Sequence, residues 1–231
     1  MERGSVRGVA WESGQVAIVD IDGTLVDSAY HHTLAWARAF ARSKVFIPAA
    51  TLHRHVGMGG DQFVPAVAGE DCDAECGDEV RAAHDELYLA MLDEVAAFPD
   101  AKPFLRRLGE LGLRTILATS AKEAELERYL ELLDAEELTA GWTSSADVEK
   151  TKPHPDLLHA AVERAGGARP AFMVGDATWD AVAARNARVP MLGVLTGGFA
   201  ASELLEAGAA AVFSSVGDLG SELAASLRRA G

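Results

Sequence analysis

The sequence predicts an α/β fold in three layers, a parallel sheet covered by helices on both faces, with an all-helical domain inserted after the first core strand. Three observations lead there. The short apolar run Val16-Ala-Ile-Val19 is rich in β-branched residues and suits a central strand buried on both faces. Between residues 28 and 98 no strand pattern occurs, and apolar residues recur at helical spacing. From residue 101 onward helices and strands alternate, which is the pattern of right-handed βαβ units. The expected division is therefore a core of residues 1–27 and 99–231 around a helical insert of residues 28–98.

Residues 1–12 lack a basic start followed by an apolar run and are expected to form an extended arm or disordered lead-in. The insert opens with a helix over 28–43, with Leu34, Ala37 and Ala41 on one stripe and His32, Trp36 and Phe40 on its neighbour. Pro48 separates it from a short helix over 49–55, and Gly57-Met58-Gly59-Gly60 reads as a flexible loop. A long helix follows over 73–97, burying Val80, Leu87, Met91 and Val95. In the rest of the core the spacing predicts helices over 103–111, 122–133, 155–165, 179–188, 202–207 and 217–228. Strands are expected over 114–118, 171–174, 191–195 and 211–214, and Gly166-Gly167 ends the 155–165 helix.

Apolar residues make up 49% and charged residues 24%, an ordinary globular balance that promises a packed core. A net charge of −14 argues against a nucleic-acid partner, which needs a basic stripe, but leaves small anions open to local positive groups. No stretch approaches the roughly 18 apolar residues of a membrane span. Cys72 and Cys76 stand four apart with no second pair to complete a zinc site, so they read as reduced thiols of a cytoplasmic protein.

Ligands of a parallel sheet collect beyond the carboxyl ends of its strands. That rule selects Asp20 and Asp22 after the first core strand, Thr119 and Ser120 after the 114–118 strand, and Asp176 after the 171–174 strand. Lys152, in the loop before the 155–165 helix, can reach the same crevice. Asp20 and Asp22 stand two residues apart, with Gly23 permitting a bend and Thr24 adding a hydroxyl. Two acids so placed repel unless a cation or a shared proton relieves them, and Mg2+ suits such hard oxygen ligands.

Asp20-Ile-Asp-Gly-Thr24, Thr119-Ser120, Lys152-Pro-His-Pro-Asp156 and Gly175-Asp-Ala-Thr-Trp-Asp180 follow the order of the four motifs of the haloacid dehalogenase-like superfamily. From about residue 16 the chain resembles the phosphoglycolate phosphatase and β-phosphoglucomutase branch, with the helical insert as its cap. The resemblance implies a Rossmann-like core, Mg2+ and a covalent aspartyl-phosphate. It casts Asp20 as nucleophile and Asp22 as general acid and base, with Lys152 and Thr119 on the phosphoryl oxygens and Ser120 as helper. The metal ligands it implies are the Asp20 carboxylate, the Asp22 main-chain carbonyl and the Asp176 carboxylate. Asp180, one helical turn on, would support the metal from behind or cap its helix. Gly23, His32, Arg54, Gly59 and Gly60 are the candidates for reading the substrate, with amphipathic helix packing as the plainer role of His32.

Departures from the family pattern discriminate among its chemistries. Dehalogenases lack the second aspartate of the first motif, so Asp22 favours phosphoryl transfer. Phosphonatases use a cap lysine, and Lys44, the insert's one lysine, does not match that position. β-Phosphoglucomutases carry an arginine in the loop where this chain reads Gly59-Gly60, which counts against a mutase unless nearby Arg54 substitutes. The expected function is a Mg2+-dependent phosphatase acting on a small phosphorylated metabolite, as a monomer or homodimer. The alternatives are a sugar-phosphate mutase and a non-catalytic phosphate-binding regulator.

Overall fold

The computed structural model describes residues 3–230. A hairpin of β1 (Arg3–Val6) and β2 (Val9–Glu12) precedes β3 (Val16–Val19). Helices α1 (Ala29–Arg42), α2 (Ala49–His53), α3 (Gly60–Ala68) and α4 (Glu70–Leu89) follow without an intervening strand. The chain continues through α5 (Ala101–Glu110), β4 (Arg114–Ala118), α6 (Glu123–Leu133), α7 (Ala135–Leu138), β5 (Trp142–Thr143) and α8 (Asp156–Arg164). It closes with β6 (Pro170–Gly175), α9 (Thr178–Ala187), β7 (Met191–Val194), α10 (Ala201–Ala207), β8 (Ala211–Phe213) and α11 (Val216–Ala230).

Among the described residues the core sheet has six strands in the order β5-β4-β3-β6-β7-β8, every pairing parallel. Residues of β3 alternate between its two faces: Ala17 and Val19 join one apolar cluster with Phe172 and Phe104, while Val16 and Ile18 join another with Met173 and Leu157. This two-sided burial explains why the strand is apolar throughout. A third cluster, around Trp36, Phe40, Leu52, Phe63 and Val80, is the helical insert's own. The chain enters and leaves the insert along a paired stem. Val26 bridges Ala97 in antiparallel fashion, Asp27 N–H donates to Ala96 O at 2.9 Å, and Phe98 N–H donates to Leu25 O at 2.9 Å. No helix among the described residues is long and apolar enough to cross a membrane.

Several expectations are corrected. The segment expected as an arm or disordered lead-in is, from Arg3, an antiparallel hairpin. Its turn residues Arg7 and Gly8 both have positive φ, 46° and 87°, the geometry that matches the twist of two short strands. Val6, Val9 and Trp11 turn inward, and the Trp11 indole lies edge-on to Phe172 at 6.1 Å between ring centres. A Cβ on Gly4 would fall 2.2 Å from that indole, so the strand is glycine where the ring crosses it.

In α1 the Trp36–Phe40 stripe is buried with Ala29 and Thr33, whereas Leu34 is 42% exposed. The aromatic side chains decide which face packs. The expected 73–97 helix instead spans Glu70–Leu89, and its buried face continues from Val80 through His84 and Tyr88. Met91 and Val95 are buried from the segment beyond the helix, and Leu87 is half-buried. The glycine run is not free: Gly59 caps α3, a helix not expected from the sequence, and its N–H donates to Thr151 Oγ1 at 3.1 Å. Helix α2 stops at His53, and α7 and β5 are further unexpected elements, each too short to show a period.

Candidate active site

Strand β3 ends at Val19 and delivers Asp20, 3% exposed, to the carboxyl edge of the sheet. Lys152 reaches it from the loop before α8: its Nζ contacts Asp20 Oδ1 and lies 2.8 Å from Asp180 Oδ1. The lysine is 1% exposed, and burial alone would favour its neutral form, but Asp180 and Asp20 outweigh burial and keep it charged. Asp180 is fully buried at the start of α9, where Oδ2 accepts the Ala177 N–H at 3.0 Å, so it braces the lysine and caps its own helix together. Asp176 follows β6 and accepts the Thr24 hydroxyl at 2.7 Å.

Three buried carboxyl groups thus face one ammonium. Burial and the neighbouring acids push Asp20 and Asp176 well above the usual carboxylate range, against the pull of Lys152. One oxygen from each of Asp20, Asp176 and Asp180 lies within 4.8 Å of the others, a cluster able to hold a divalent cation. Space beside Asp176 is kept by glycine: a Cβ on Gly23 would fall 2.4 Å from Asp176 Oδ2, and one on Gly197 would fall 1.7 Å from it. The hard oxygen donors, the surplus negative charge and this side-chain-free cradle all fit such an ion.

Asp22 has different surroundings. Its Oδ1 accepts from Ser28 Oγ at 2.7 Å and Tyr129 OH at 2.7 Å, and lies 3.1 Å from His32 Nε2. Its Oδ2 accepts from Thr119 Oγ1 at 3.0 Å. Burial acts to raise this carboxyl, yet the His32 contact and the hydroxyl donors hold it well below the usual range. Asp22 in turn lifts the His32 imidazole against the effect of burial. One acid is therefore paired with a lysine and crowded by other acids, and the second is wrapped in donors.

Both acids border a cavity of about 290 Å³ between the insert and the core. His32, Trp36 and Gly57–Gly60 line it from the insert, and Ser120, Lys122, Glu125 and Lys152 from the core. Ser120 Oγ is buried and without a hydrogen-bond partner in the described residues, a donor left for something bound in the cavity.

The haloacid dehalogenase-like hydrolase family model matches residues 15–188. The chain belongs to this family. It is 31% identical over 201 residues to a phosphoglycolate phosphatase of Yersinia pestis, covering 84% of this chain and 82% of that protein. It is 30% identical over 190 residues to a validoxylamine A 7′-phosphate phosphatase of Streptomyces hygroscopicus subsp. limoneus, covering 79% of this chain and 86% of that protein. The crystal structure of a hydrolase from Pseudomonas syringae superposes with a TM-score of 0.84 at 30% identity, over 91% of this chain and 98% of that one. The protein is a hydrolase of small phosphomonoesters that works through an aspartyl-phosphate.

In this haloacid dehalogenase-like hydrolase, Asp20, Asp22, Thr119, Ser120, Lys152, Asp176 and Asp180 converge on one rim, and His32, Gly59 and Gly60 face them across the cavity. Gly23 lies against Asp176 rather than in the cavity wall. Arg54 does not join them. It pairs with Glu203 at 3.2 Å and lies over the Phe199 ring at 5.1 Å, on the seam between insert and core, so it does not replace the arginine missing from the glycine loop. Gly59 itself could carry no side chain, since a Cβ would sit 2.4 Å from Thr151 Oγ1. The sequence reading missed Ser28, Tyr129, His84, Asp85 and Glu125. Ser28 alone carried a local signal, following Asp22 by six residues just before α1. The others lie on helices α4 and α6, whose site-facing sides are fixed by tertiary packing.

Proposed function

We propose that the metal is Mg2+, that Asp20 is the nucleophile and that Asp22 moves the protons. What supports the reading is the contrast between the two acids. Asp20 Oδ attacks phosphorus in line, the bond from phosphorus to the alcohol oxygen breaks, and Asp22 gives that oxygen a proton. Asp22 then takes a proton from water as the water oxygen attacks the aspartyl-phosphate, freeing inorganic phosphate and Asp20. The donors around Asp22 favour its ionised, proton-accepting form, and His32 Nε2 is placed to supply the proton for the first step. Lys152 and Ser120 hold the phosphoryl oxygens, Ser120 in place of the expected Thr119, whose hydroxyl is engaged with Asp22 Oδ2 at 3.0 Å. Asp20, Asp176 and the Asp22 carbonyl, supported by Asp180, would hold Mg2+, which would neutralise charge on those oxygens. Asp20→Asn should abolish turnover of para-nitrophenyl phosphate, and chelation of divalent metal should do the same to the unaltered protein; retained turnover in either case refutes the mechanism.

The cavity also bears on the alcohol half of the substrate. Besides Lys152, the lysine and arginine that line it are already engaged: Arg81 with Asp73 at 2.6 Å and Asp78 at 2.8 Å, Lys122 with Asp85. Asp61, Glu125 and Glu149 line the same space. A second anionic group, such as the carboxylate of phosphoglycolate, meets acids there, whereas hydroxyl groups find acceptors. The reading is therefore a hydroxylated alcohol phosphate. A panel measuring phosphate release should place hydroxylated phosphates above phosphoglycolate in kcat/KM, and the reverse order would refute it.

A further inference from the structure

Asp22 is the near end of a hydrogen-bonded chain that leaves the core, crosses the helical insert and returns. His32 on α1 faces Asp22 with Nε2 and places Nδ1 3.2 Å from His84 Nε2 on α4. His84 Nδ1 lies 3.3 Å from Asp85 Oδ1, and Asp85 Oδ2 accepts from Lys122 Nζ at the core's α6 N-terminus. Rings lock the middle of the chain from both sides: Trp36 stacks on His84 at 3.8 Å and Tyr88 stacks on His32 at 3.7 Å between centres.

The direction of each bond follows from the chemistry of the ends. Asp85 is bound by an ammonium and can only accept, so His84 gives it the Nδ1–H. His84 is 6% exposed, and burial lowers it to about 4 despite Asp85, so it is neutral and its Nε2 carries a lone pair. That lone pair takes the His32 Nδ1–H. His32 is thereby held with Nε2 aimed at Asp22 Oδ1, whichever of those two atoms holds the proton they share. An imidazole whose far nitrogen is fixed by a carboxylate-backed partner is a recurrent way of orienting a working ring.

We propose that His84 is a positioning residue for the proton transfer by Asp22, acting through His32, and that the Asp85–Lys122 pair ties this arrangement to the seating of the insert on the core. This rests on Asp22 being the group that protonates the leaving oxygen. A carboxylate left without the His32 contact keeps its hydroxyl donors but loses the one partner able to resupply its proton, so the loss falls on substrates whose alcohol must be protonated as it departs.

Leaving-group dependence tests the proposal. Values of kcat/KM are compared for para-nitrophenyl phosphate, whose phenolate departs without a proton, and glycerol phosphate, whose alkoxide does not. His84→Phe keeps the stacking on Trp36 but offers no lone pair, and should lower the glycerol phosphate value by about ten-fold or more relative to the aryl ester. His84→Gln places an amide oxygen where Nε2 stood and should restore most of the ratio. Lys122→Met should lower the ratio in the same direction by a smaller factor. An equal fall on both esters in His84→Phe, or no fall, overturns the positioning role. Asp22→Asn separates the two levels: if it collapses the ratio while His84→Phe does not, the chain through His84 is refuted alone; if it leaves the ratio intact, the assignment of Asp22 fails and the proposal with it.

Discussion

At the residue scale, the charge balance at the sheet edge turns on Lys152, which faces Asp20 and Asp180 with almost no solvent. Lys152→Ala should lower turnover at least a hundred-fold and cost about 3 kcal/mol in urea unfolding, since it leaves buried acids without their cation. Glu125 offers a cleaner titration. Burial raises it from 4.5 to about 7, so its folded form favours the protonated state. Its contribution to stability is full below pH 4.5 and lost as pH rises to about 7. Glu125→Gln, neutral at every pH, should therefore gain on the unaltered protein by roughly 3 kcal/mol between pH 4 and pH 8 in paired urea titrations. A constant difference across that range would contradict the assignment. Asp20, Asp22 and Asp176 could be picked out of the sequence because a strand end is a local feature and fixes where its next residues point, and Lys152 because of its Lys-Pro-His-Pro context in the loop before α8. His84 and Glu125 could not, because a helix shows the sequence its period but not the direction in which its buried face will land.

At the element scale, the alternating half of the chain was legible for the same reason: β4, β6 and β7 are largely buried apolar runs separated by helices, and β3 is a buried apolar run that ends in the site. The hairpin of β1 and β2 was not, since strands of four residues hold barely two turns of alternation and one of them contains Gly4. Its place is nevertheless specific, through Trp11 against Phe172. Gly4→Val should destabilise the protein by about 1–3 kcal/mol, read as a lower urea midpoint, because the indole has nowhere to move without unpacking. Phosphatase turnover at 25 °C should be unaffected, since no residue of the hairpin lines the cavity. Helix α3 escaped notice because Gly60 opens it and Pro65 lies within it, two residues that usually mark loops.

At the scale of the whole molecule, the three buried acids make folding and metal binding one equilibrium. Mg2+ at a hundred times its dissociation constant should add about 2.7 kcal/mol to stability and raise Tm by several degrees. Asp176→Asn should remove most of that rise, and an undiminished rise would place the ion elsewhere. The overall plan, core then insert then core, was readable because a long absence of strand pattern is as informative as its presence. How the insert seats on the core was not, since contacts such as Gly59 with Thr151 join residues 92 positions apart. The paired stem at Val26 and Ala97 has a consequence of a different kind. Because the outgoing and incoming chains already lie side by side in antiparallel pairing, the insert is topologically a decorated hairpin loop. It can be exchanged or enlarged without rethreading the sheet, so long as the replacement again brings an imidazole to Asp22 as His32 does.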